Sequence, residues 1–359
     1  MAEHSISTFG PFLEVGTCVL ISRVLPQQTT YYWTGRQNPD RVADRQYRMD
    51  PKGLAHLRGE LNARNARCVF VHVPMRTNYL WARNALRRLH GDCAGRAYHE
   101  LIHANDLPIV GMDFNDYARL SSTALEILDR SVCYFKRELP VDRNRLLPPN
   151  PTARQRSLLA ANKHKLRPIS LGLCRGRQAA MPDSGIAKQY DLFFSGALNC
   201  EVRRAGFPLL EELQRQGIKV HIPPSRVDRP EFLRMCALSR LVWSPEGCGW
   251  DCFRHYESAG AGSVPVMNAP WIVPYRPLNH GTEALYYQFS ETPSWFQPPQ
   301  PFVETVLQAL NDRDRLDEMA CNARRHVNQF HTHEAIVDHI VKTVVTEQLS
   351  SAPNLLGVA

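Results

Sequence analysis

The chain has 359 residues, of which 43% are hydrophobic and 22% charged, and this composition excludes disordered, fibrous and membrane-embedded proteins. The length predicts two domains, each large enough to bury a core of its own. The net charge of +8 is uneven, because residues 1–180 carry 27 Lys and Arg against 15 Asp and Glu, and residues 181–359 carry 16 against 20. This asymmetry predicts either a solvated basic face or an anionic partner for the first half.

The ten cysteines lie mostly in apolar runs, which predicts buried thiols in a reducing compartment. No C-x-x-C pair occurs, and Cys248 and Cys252 have no Cys or His pair at zinc spacing nearby, so no metal site is expected. The N-terminus lacks a basic signal-peptide region, and Glu14 and Arg23 interrupt its apolar stretch. We therefore expect a cytoplasmic protein that does not insert into a membrane.

Short β-branched runs alternate with segments of helical periodicity in the first half. The predicted elements in chain order are a strand over 18–24, a helix over 53–65, a strand over 68–73, a helix over 78–89, a strand over 107–112, a helix over 122–129 and a strand over 131–135. This alternation predicts a Rossmann-like parallel sheet. Tyr31, Tyr32 and Trp33 precede the basic loop of Gly35 and Arg36, and we expect them to anchor this loop or to stack on a sugar or a base.

The alternation stops between residues 139 and 167. The run Leu-Leu-Pro-Pro-Asn-Pro over 146–151 continues neither a helix nor a strand, and the basic stretch 163–168 follows it. This pattern predicts a domain junction, with one domain over 1–165 and a second over 166–330.

The second half has an alternation of its own. Its predicted elements are a strand over 190–194, a helix over 200–216, a strand over 218–222, a helix over 230–240, a strand over 241–244, a helix over 252–261, a strand over 263–267 and, after a proline-rich loop over 293–301, helices over 302–310, 314–330 and 333–346. Gly217 follows the first of these helices, where a left-handed cap is expected.

A glycine-rich turn joins the strand over 241–244 to the helix over 252–261. Gly247 and Gly249 would let backbone N–H groups approach an anion without obstruction by Cβ, beside a helix N-terminus. Arg254 and Glu257 are three residues apart and project from nearly the same helix face. They either bind a nucleotide, the arginine through phosphate and the carboxylate through the ribose diol, or form an ordinary surface ion pair.

The segment 245–267, Pro-Glu-Gly-Cys-Gly-Trp-Asp-Cys-Phe-Arg-His-Tyr-Glu-Ser-Ala-Gly-Ala-Gly-Ser-Val-Pro-Val-Met, resembles the donor-binding segment of GT-B glycosyltransferases. The resemblance is especially to the exostosin-like and glycosyltransferase-family-4-like enzymes. The stretches 191–199, 232–240 and 323–333 resemble other parts of the same domain, so the resemblance covers about residues 190–345. It implies two Rossmann-like domains that face each other across a cleft, with C-terminal helices over 331–359 that cross back to the N-terminal domain.

The resemblance implies a glycosyltransferase that moves a sugar from a nucleotide-sugar donor to an acceptor hydroxyl. Within an R-x-x-E motif, Glu257 would contact the donor ribose and Arg254 the diphosphate. The other residues that it places at the donor line the cleft or contact a second phosphate: Ser195, Gly196, Asn199 and Arg203.

The sequence departs from the longer E-x7-E motif of these families, because Gly249 occupies its first acidic position. Glu246 lies three residues earlier, and Trp250 and Asp251 are the candidates to replace the missing carboxylate. No Asp-x-Asp motif is evident at a strand end, so we expect protein groups rather than Mg²⁺ to stabilise the leaving nucleoside diphosphate. No cofactor is expected besides the nucleotide-sugar co-substrate.

An inverting enzyme also needs a general base, which the resemblance assigns to a strand-end loop of the N-terminal domain. Asp113 and Asp116 follow the strand over 107–112, and His72 lies in the strand over 68–73. Each of the three is a candidate for this catalytic role, and each also fits a helix cap or a satisfied core side chain.

The acceptor stays open between a glycan, a lipid-linked sugar and a protein. The positive charge of residues 1–180 adds a polyanionic acceptor, such as an anionic glycan or a nucleic acid. A DNA glycosyltransferase that acts on hydroxymethylated pyrimidines would bind phosphates through this half, with an affinity that falls steeply with salt. A second alternative is a non-catalytic module, which would bind a nucleotide and release no sugar.

Overall fold

The computed structural model describes residues 11–34, 43–74, 93–183, 185–289 and 300–351. The helix predicted over 78–89, Gly35, Arg36 and most of the proline-rich loop lie outside the described residues. No helix within these ranges is long and apolar enough to cross a membrane.

The described residues form twelve strands and twelve α-helices. The strands are β1 (Phe12–Gly16), β2 (Thr29–Trp33), β3 (Arg45–Arg48), β4 (Cys68–His72), β5 (Ile109–Asp113), β6 (Ser131–Lys136), β7 (Leu166–Pro168), β8 (Tyr190–Phe193), β9 (Val220–His221), β10 (Ser239–Trp243), β11 (Val264–Asn268) and β12 (Leu285–Tyr287). The helices are α1 (Ile21–Val24), α2 (Pro51–Ala63), α3 (Cys93–His103), α4 (Ser122–Arg130), α5 (Ala153–Asn162), α6 (Arg175–Ala179), α7 (Glu201–Arg215), α8 (Arg229–Ala237), α9 (Phe253–Gly260), α10 (Phe302–Leu310), α11 (Arg313–Phe330) and α12 (His333–Ser351).

The chain divides into two compact units. Of the described residues, the first unit contains those up to Lys136, those from Asn144 to Arg167 and those from Val337, and the second contains Arg137–Arg143 and those between Pro168 and Ile336. Helix α12 therefore begins in the second unit and continues in the first, as the resemblance implies for the C-terminal helices.

The sheet of the first unit has the strand order β3-β2-β1-β4-β5-β6-β7, and every pair from β3 to β6 is parallel. Strands β1, β2, β4 and β5 are buried at every position, as expected for a parallel sheet that is covered on both faces. The strand order reverses between β1 and β4. Ligands of open parallel sheets bind at the carboxyl ends of the strands beside such a reversal.

The first strand lies earlier than predicted, because the strand predicted over 18–24 is wrong. These residues instead contain the short helix α1, and β1 precedes them. The buried carboxylate of Glu14 explains this turn of the chain. It accepts hydrogen bonds, at 3.0, 3.1 and 2.8 Å, from the backbone N–H groups of three successive residues, Leu20, Ile21 and Ser22.

The aromatic run Tyr31–Trp33, predicted to anchor a basic loop or to stack on a sugar or a base, lies in the sheet, and the loop itself is outside the described residues. It belongs to β2, which pairs with β1 on one side and β3 on the other. All three rings are buried, and the β-branched and aromatic sequence Thr-Thr-Tyr-Tyr-Trp suits a strand that is covered on both faces.

The predicted junction is folded, which the prolines had obscured. Helix α5 begins with a capping box, in which Thr152 and Gln155 satisfy each other's backbone N–H groups. Residues Arg137–Arg143 lie in the second unit because they pair with the chain at 271–273. The Val141 N–H donates to the Trp271 carbonyl at 3.1 Å, and the Val273 N–H donates to the Leu139 carbonyl at 2.8 Å.

The sheet of the second unit has the order β12-β11-β10-β8-β9, and all four pairs are parallel. Alternate residues of β8 and the position after it face two cores: Leu192 and Phe194 pack with Leu210 of α7, whereas Phe193 packs with Leu233 of α8. Helices thus cover both faces. The strand order reverses between β10 and β8, which predicts a ligand site at their carboxyl ends.

Candidate functional site

Two arginines lie at this reversal in the second sheet. Strand β8 leads through residues 194–200 into α7, and strand β10 leads through residues 244–252 into α9. Arg203 lies in the first turn of α7 and Arg254 in the first turn of α9. Because β8 and β10 are neighbouring parallel strands, both helices begin at the same edge of the sheet, and both guanidinium groups lie there.

The guanidinium group of Arg254 is only partly satisfied by the protein. Its Nη2 donates to the carbonyl oxygen of Ser195 at 2.9 Å, and its plane lies 5.5 Å from the ring centroid of Phe194. Its Nε and Nη1 atoms are buried and have no hydrogen-bond partner among the described residues. Buried N–H groups of a cation cost free energy when they have no hydrogen-bond acceptor, so a bound acceptor would stabilise this guanidinium group.

Arg203 is 7% exposed and is held in a similar way. Its Nη1 donates to the carbonyl oxygen of Ala197 at 3.1 Å and to Oδ1 of Asn199 at 3.2 Å, while its Nε is buried without a partner among the described residues. Burial lowers the pKa of Arg254, and the positive charge of Arg203 acts in the same direction. Two like charges are held close together here, with no described carboxylate paired to either, and an anion would satisfy their remaining N–H groups.

The glycines predicted around this site have a different role from the one we expected. A Cβ at Gly196 would overlap the Arg254 guanidinium, and a Cβ at Gly247 would lie 2.8 Å from Nη2 of Arg203. A Cβ at Gly249 would overlap the Glu138 carboxylate. The missing side chains therefore admit charged groups of the protein itself.

Three backbone N–H groups of the glycine-rich turn are also engaged within the protein. The Gly247 N–H donates to the Gly249 carbonyl at 2.9 Å, and the N–H groups of Trp250 and Asp251 donate to Glu138 at 2.9 and 3.1 Å. These three N–H groups are therefore used within the protein, and the prediction that the backbone of this turn cradles an anion stays a prediction for its other positions.

Glu257 is buried in α9 and pairs with arginines that the sequence did not suggest. Its Oε1 contacts Nη1 of Arg177, and Nε of Arg229 lies 3.7 Å from the same oxygen. The Arg177 guanidinium also stacks on Phe253, 3.8 Å from the ring centroid. No hydrogen bond from the described residues reaches Oε2 of Glu257. The surface ion pair between Arg254 and Glu257, which we considered as the alternative, does not form.

Trp250 and Asp251 support the turn. Trp250 is 2% exposed, packs in the core with Tyr256, and donates from its indole Nε1 to the Asn268 carbonyl at 3.0 Å. The Asp251 carboxylate accepts from the Leu171 N–H at 2.9 Å and from the Tyr256 hydroxyl. Neither side chain is placed to replace the missing carboxylate of the longer motif.

Glu246 remains partly exposed after β10. Its Oε2 accepts from Asn268 Nδ2 at 3.1 Å and from Trp271 Nε1 at 3.0 Å. In contrast to the two candidates for the missing carboxylate, Trp250 and Asp251, Glu246 is partly exposed at this edge.

His255 connects the end of β10, the turn and α9. Its Nδ1 lies 2.7 Å from the Ser244 hydroxyl oxygen, and its Nε2 lies 2.8 Å from the Trp250 carbonyl oxygen. Burial lowers the pKa of His255 to about 4, so the ring is neutral. Since a carbonyl only accepts, Nε2 carries the proton and Nδ1 accepts from Ser244. The neutral ring fixes the backbone next to Arg254 and adds no charge.

Asp113, which we predicted as a candidate base, is fully occupied at the end of β5. Its Oδ1 accepts from the backbone N–H and the side-chain Nδ2 of Asn115, at 3.1 and 2.9 Å. Its Oδ2 accepts from the Tyr134 hydroxyl and from Lys136 Nζ, each at 3.0 Å. Four donors leave no free lone pair for an acceptor proton, so this geometry makes Asp113 a support of the strand-end loop.

His72 lies at the carboxyl end of β4, 1% exposed, with its Nε2 2.7 Å from Oε1 of Glu14. Burial acts to lower its pKa, but the interactions of Cys18 and Glu14 outweigh burial and raise the pKa of His72 to about 9. With this pKa, His72 is a cation at neutral pH. A protonated imidazole cannot accept a proton, so it cannot act as the general base in this arrangement. Asp116, three residues after β5, is the exposed member of the three candidates.

Sequence reasoning missed Glu138, Arg177 and Arg229, which hold the turn and Glu257. A signal for Glu138 was available in the run Phe-Lys-Arg-Glu-Leu over 135–139, where three charges interrupt an apolar segment at a strand end. Such charges need partners when they are buried. Within the described ranges, no group of three or more His, Cys, Asp or Glu side chains is arranged to hold a metal ion.

Comparisons by sequence find no matching family pattern and no matching curated protein. Solved structures do match. Sucrose-phosphate synthase from Thermosynechococcus elongatus is 11% identical with a TM-score of 0.52, over 95% of this chain and 99% of that one. Anabaena HepE, solved with UDP and glucose, is 12% identical with a TM-score of 0.50, over 94% and 100%. A Rickettsia africae glycosyltransferase is 10% identical with a TM-score of 0.52, over 94% and 99%.

These three matches extend over nearly the whole of each chain, so they concern the complete arrangement of elements and not a single sheet. The identities are too low to transfer a substrate or a catalytic residue, and the exostosin-like or family-4-like subfamily stays a prediction. The matched structures are GT-B glycosyltransferases, and this chain has the GT-B fold.

Proposed function

We propose that the protein is a glycosyltransferase that binds the diphosphate of a nucleotide-sugar donor between Arg203 and Arg254. The observation that carries this proposal is the set of buried guanidinium N–H groups that have no partner among the described residues, at the strand-order reversal of the second sheet. A diphosphate supplies the acceptor oxygens and the negative charge that this pair of arginines lacks. A bidentate phosphate contact is the interaction for which a guanidinium is best shaped.

The same arrangement suits the chemistry of sugar transfer. When the bond between the sugar and the diphosphate breaks, negative charge develops on the leaving phosphate oxygens. Two fixed cations, beside the N-termini of α7 and α9, stabilise that charge without reorganising. We therefore propose that arginine supplies the charge, and that no metal ion is needed.

Glu257 is proposed to bind the donor ribose. Arg177 and Arg229 hold the carboxylate through Oε1, and Oε2 is the oxygen proposed to accept from a ribose hydroxyl. A carboxylate that two arginines hold in place needs no further ordering when the donor binds, which favours affinity.

For the general base, Asp116 is the residue to test first. Asp113 has four donors on its carboxylate, and His72 is protonated at neutral pH, whereas the Asp116 side chain is exposed next to the ordered loop. Asp116→Asn is expected to lower the rate of sugar transfer at least 100-fold and to leave donor affinity unchanged.

The test of the proposal compares two arginines of one helix. Arg203→Ala removes the proposed phosphate ligand, and Arg215→Ala removes an arginine at the exposed end of α7, where its side chain is 73% exposed. Calorimetric titration with nucleoside diphosphates and their sugars would begin with UDP-glucose, because HepE was solved with UDP and glucose. We expect Arg203→Ala to weaken binding at least 100-fold and Arg215→Ala to leave it unchanged.

Turnover then separates the enzyme from a non-catalytic module. The bound nucleotide-sugar would be incubated with a panel of acceptors that includes neutral and anionic glycans, and release of the nucleoside diphosphate would be followed. Binding without release across the panel would favour the module. If no nucleotide of the set binds the folded protein, the glycosyltransferase proposal fails.

A further inference from the structure

Glu138 lies in the segment of the second unit that follows β6, and its side chain is completely buried. A buried carboxylate is costly unless it is paired or fully hydrogen-bonded. Glu138 is more than 60 positions before Arg203 and Arg254 in the sequence, yet it contacts the turn over 245–251 that supports these arginines. Neither the fold nor the proposed sugar transfer explains why a carboxylate stands at this position.

The Glu138 carboxylate accepts hydrogen bonds from two consecutive backbone N–H groups of the turn. The Trp250 N–H donates to Oε2 at 2.9 Å, and the Asp251 N–H donates to Oε1 at 3.1 Å. Nε of Arg137 donates to Oε1 at 3.2 Å. Gly249 permits this approach, because a Cβ there would overlap the carboxylate. Both carboxylate oxygens of Glu138 therefore accept hydrogen bonds, and the two backbone N–H groups at the end of the turn are held by different oxygens.

The turn contacts Arg203 directly and Arg254 through its neighbour His255. At its start, Gly247 lies against Nη2 of Arg203, where a Cβ would be 2.8 Å away. At its end, the Trp250 carbonyl bonds to His255, which is the residue next to Arg254 in α9. A displacement of residues 249–251 would therefore disturb the backbone beside the Arg203 guanidinium and the hydrogen bond that holds His255, the neighbour of Arg254 in α9.

We propose that Glu138 is a positioning residue of the donor site, which orders the turn over 245–251 and through it the arginine pair, and this rests on the proposed function. It touches neither the donor nor the reacting atoms. Its ionised form grips both amides, because a carboxylate accepts through both oxygens, and protonation turns one oxygen into a donor.

The surroundings of Glu138 make its hydrogen bonds to the turn depend on pH, because they raise the pKa of the carboxyl group. Burial raises the pKa of Glu138 to about 7, against the opposing effect of Arg137 and with a further increase from Asp251. The other titratable groups on the elements packed here are Tyr256, which bonds to Asp251, and the neutral His255. The affinity for a donor is therefore expected to rise as pH increases through about 7.

Glu138→Gln tests the proposal, because the amide keeps the shape of the side chain and accepts through one oxygen only. Glu14→Gln is the matched control, since Glu14 is equally buried and accepts from three backbone N–H groups of the first unit. Hydrogen exchange of the free protein is measured at the amides of Trp250 and Asp251. We expect exchange at these two amides to accelerate at least tenfold in Glu138→Gln and to stay as in the wild type in Glu14→Gln.

Donor affinity is measured in parallel, with UDP-glucose as the probe, because its diphosphate has no proton that titrates near neutral pH. Between pH 5.5 and 8.5 the wild-type affinity should rise, while that of Glu138→Gln should stay flat and be about tenfold weaker at pH 8.5. A merely structural carboxylate would change the stability and leave this pH profile in place.

The two measurements separate the possible failures. Unchanged exchange at Trp250 and Asp251 in Glu138→Gln overturns the positioning role, whatever the ligand. Accelerated exchange with an unaltered pH profile of affinity overturns the link to the donor site. If wild-type protein binds none of the nucleotide-sugars, the proposed function fails with the donor role, and the exchange data still decide whether Glu138 orders the turn.

Discussion

The carboxyl edges of the two sheets differ in how completely the chain satisfies the hydrogen bonds of its buried charged groups. In the first unit, Glu14 and Asp113 are buried carboxylates, and every oxygen accepts from His72, Lys136, hydroxyl groups or backbone amides. In the second unit, Arg203 and Arg254 together keep three buried N–H atoms without partners among the described residues, whereas the first edge has one such atom, Nδ1 of His72. Both edges lie beside a strand-order reversal, where the fold alone would place a ligand.

This contrast separates charge that holds a fold from charge that awaits a ligand. A buried charge whose hydrogen bonds the chain completes is part of the folded structure, and its removal leaves its partner unpaired. A buried charge that the chain leaves incomplete lowers the stability of the empty protein and is kept because a ligand completes it. The two edges should therefore differ in how much stability is lost when a cation is removed.

The largest expected effect is at Lys136, which is fully buried and donates to Asp113 at 3.0 Å and to the Tyr117 carbonyl at 2.8 Å. Lys136→Met would leave the Asp113 carboxylate buried without its cation, and should lower the free energy of unfolding by about 3–5 kcal/mol. Urea denaturation measures this loss, and slow-exchanging amides of β5 and β6 assign it to the first unit. Lys52→Met, at an exposed position of α2, should change stability little; an equal loss in both variants would contradict the assignment.

The two edges also differ in the pH range over which they lose stability. The pKa of Glu138 is raised to about 7 from 4.5, so the folded protein keeps a proton that the unfolded chain has released, and stability falls as pH rises from about 4.5 to 7. The pKa of His72 is raised to about 9 from 6.5, so its contribution is complete below about 6.5 and is lost as pH rises to about 9. Each effect amounts to about 3 kcal/mol at most.

Urea midpoints measured from pH 4.5 to 9.5 check both windows. Glu138→Gln should flatten the acidic window and leave the alkaline one, and His72→Gln should do the reverse. Were both variants to alter the same window, the two residues would not titrate independently, and the assignment of each to its own unit would fail.

Local patterns predicted most of the elements. The strands over 68–73, 107–112 and 131–135 and the three C-terminal helices match the structure closely, and Gly217 adopts the expected left-handed conformation with φ of +86°. Strand β3 was missed because its sequence Arg-Gln-Tyr-Arg is charged and partly exposed, without the apolar alternation that marks a strand. The first strand was misplaced because the bonds from Glu14 that bend the chain leave no periodic trace.

The residues of the arginine site could be named from the sequence, but their partners could not. Arg254 and Glu257 suggested an ion pair because they are three residues apart, whereas Glu257 pairs with Arg177, which is 80 positions away along the chain. Glu138 lies 112 positions before the amide of Trp250 that it accepts from. Such contacts depend on how the sheet brings loops together, and residue spacing carries no information about them.

Arg254 provides the reverse of the Lys136 experiment. Arg254→Met removes a cation whose Nε and Nη1 have no partner among the described residues. Relief of these two N–H groups offsets the loss of the charged bond to Ser195, about 1.5–3 kcal/mol, and of the contact with Phe194, so the free energy of unfolding should change little. The affinity for UDP-glucose should fall at least 100-fold. Calorimetry and urea denaturation measure the two quantities on the same sample. A loss of stability as large as that of Lys136→Met would mean that Arg254 holds the fold, and the contrast between the edges would disappear.

The smallest change in stability is expected at Gly247, where a methyl group would press on one guanidinium. Gly247→Ala places a Cβ 2.8 Å from Nη2 of Arg203, and the far end of a long side chain yields to such contact at little cost. Unfolding should therefore change by less than about 0.5 kcal/mol, while a displaced Arg203 weakens UDP-glucose binding about tenfold. Gly59→Ala, at a position of α2 with nothing within 4 Å of its Cβ, is the matched control and should raise stability by up to about 1 kcal/mol without altering affinity. Equal affinities of the two variants would show that the position of Arg203 is not what the nucleotide-sugar needs.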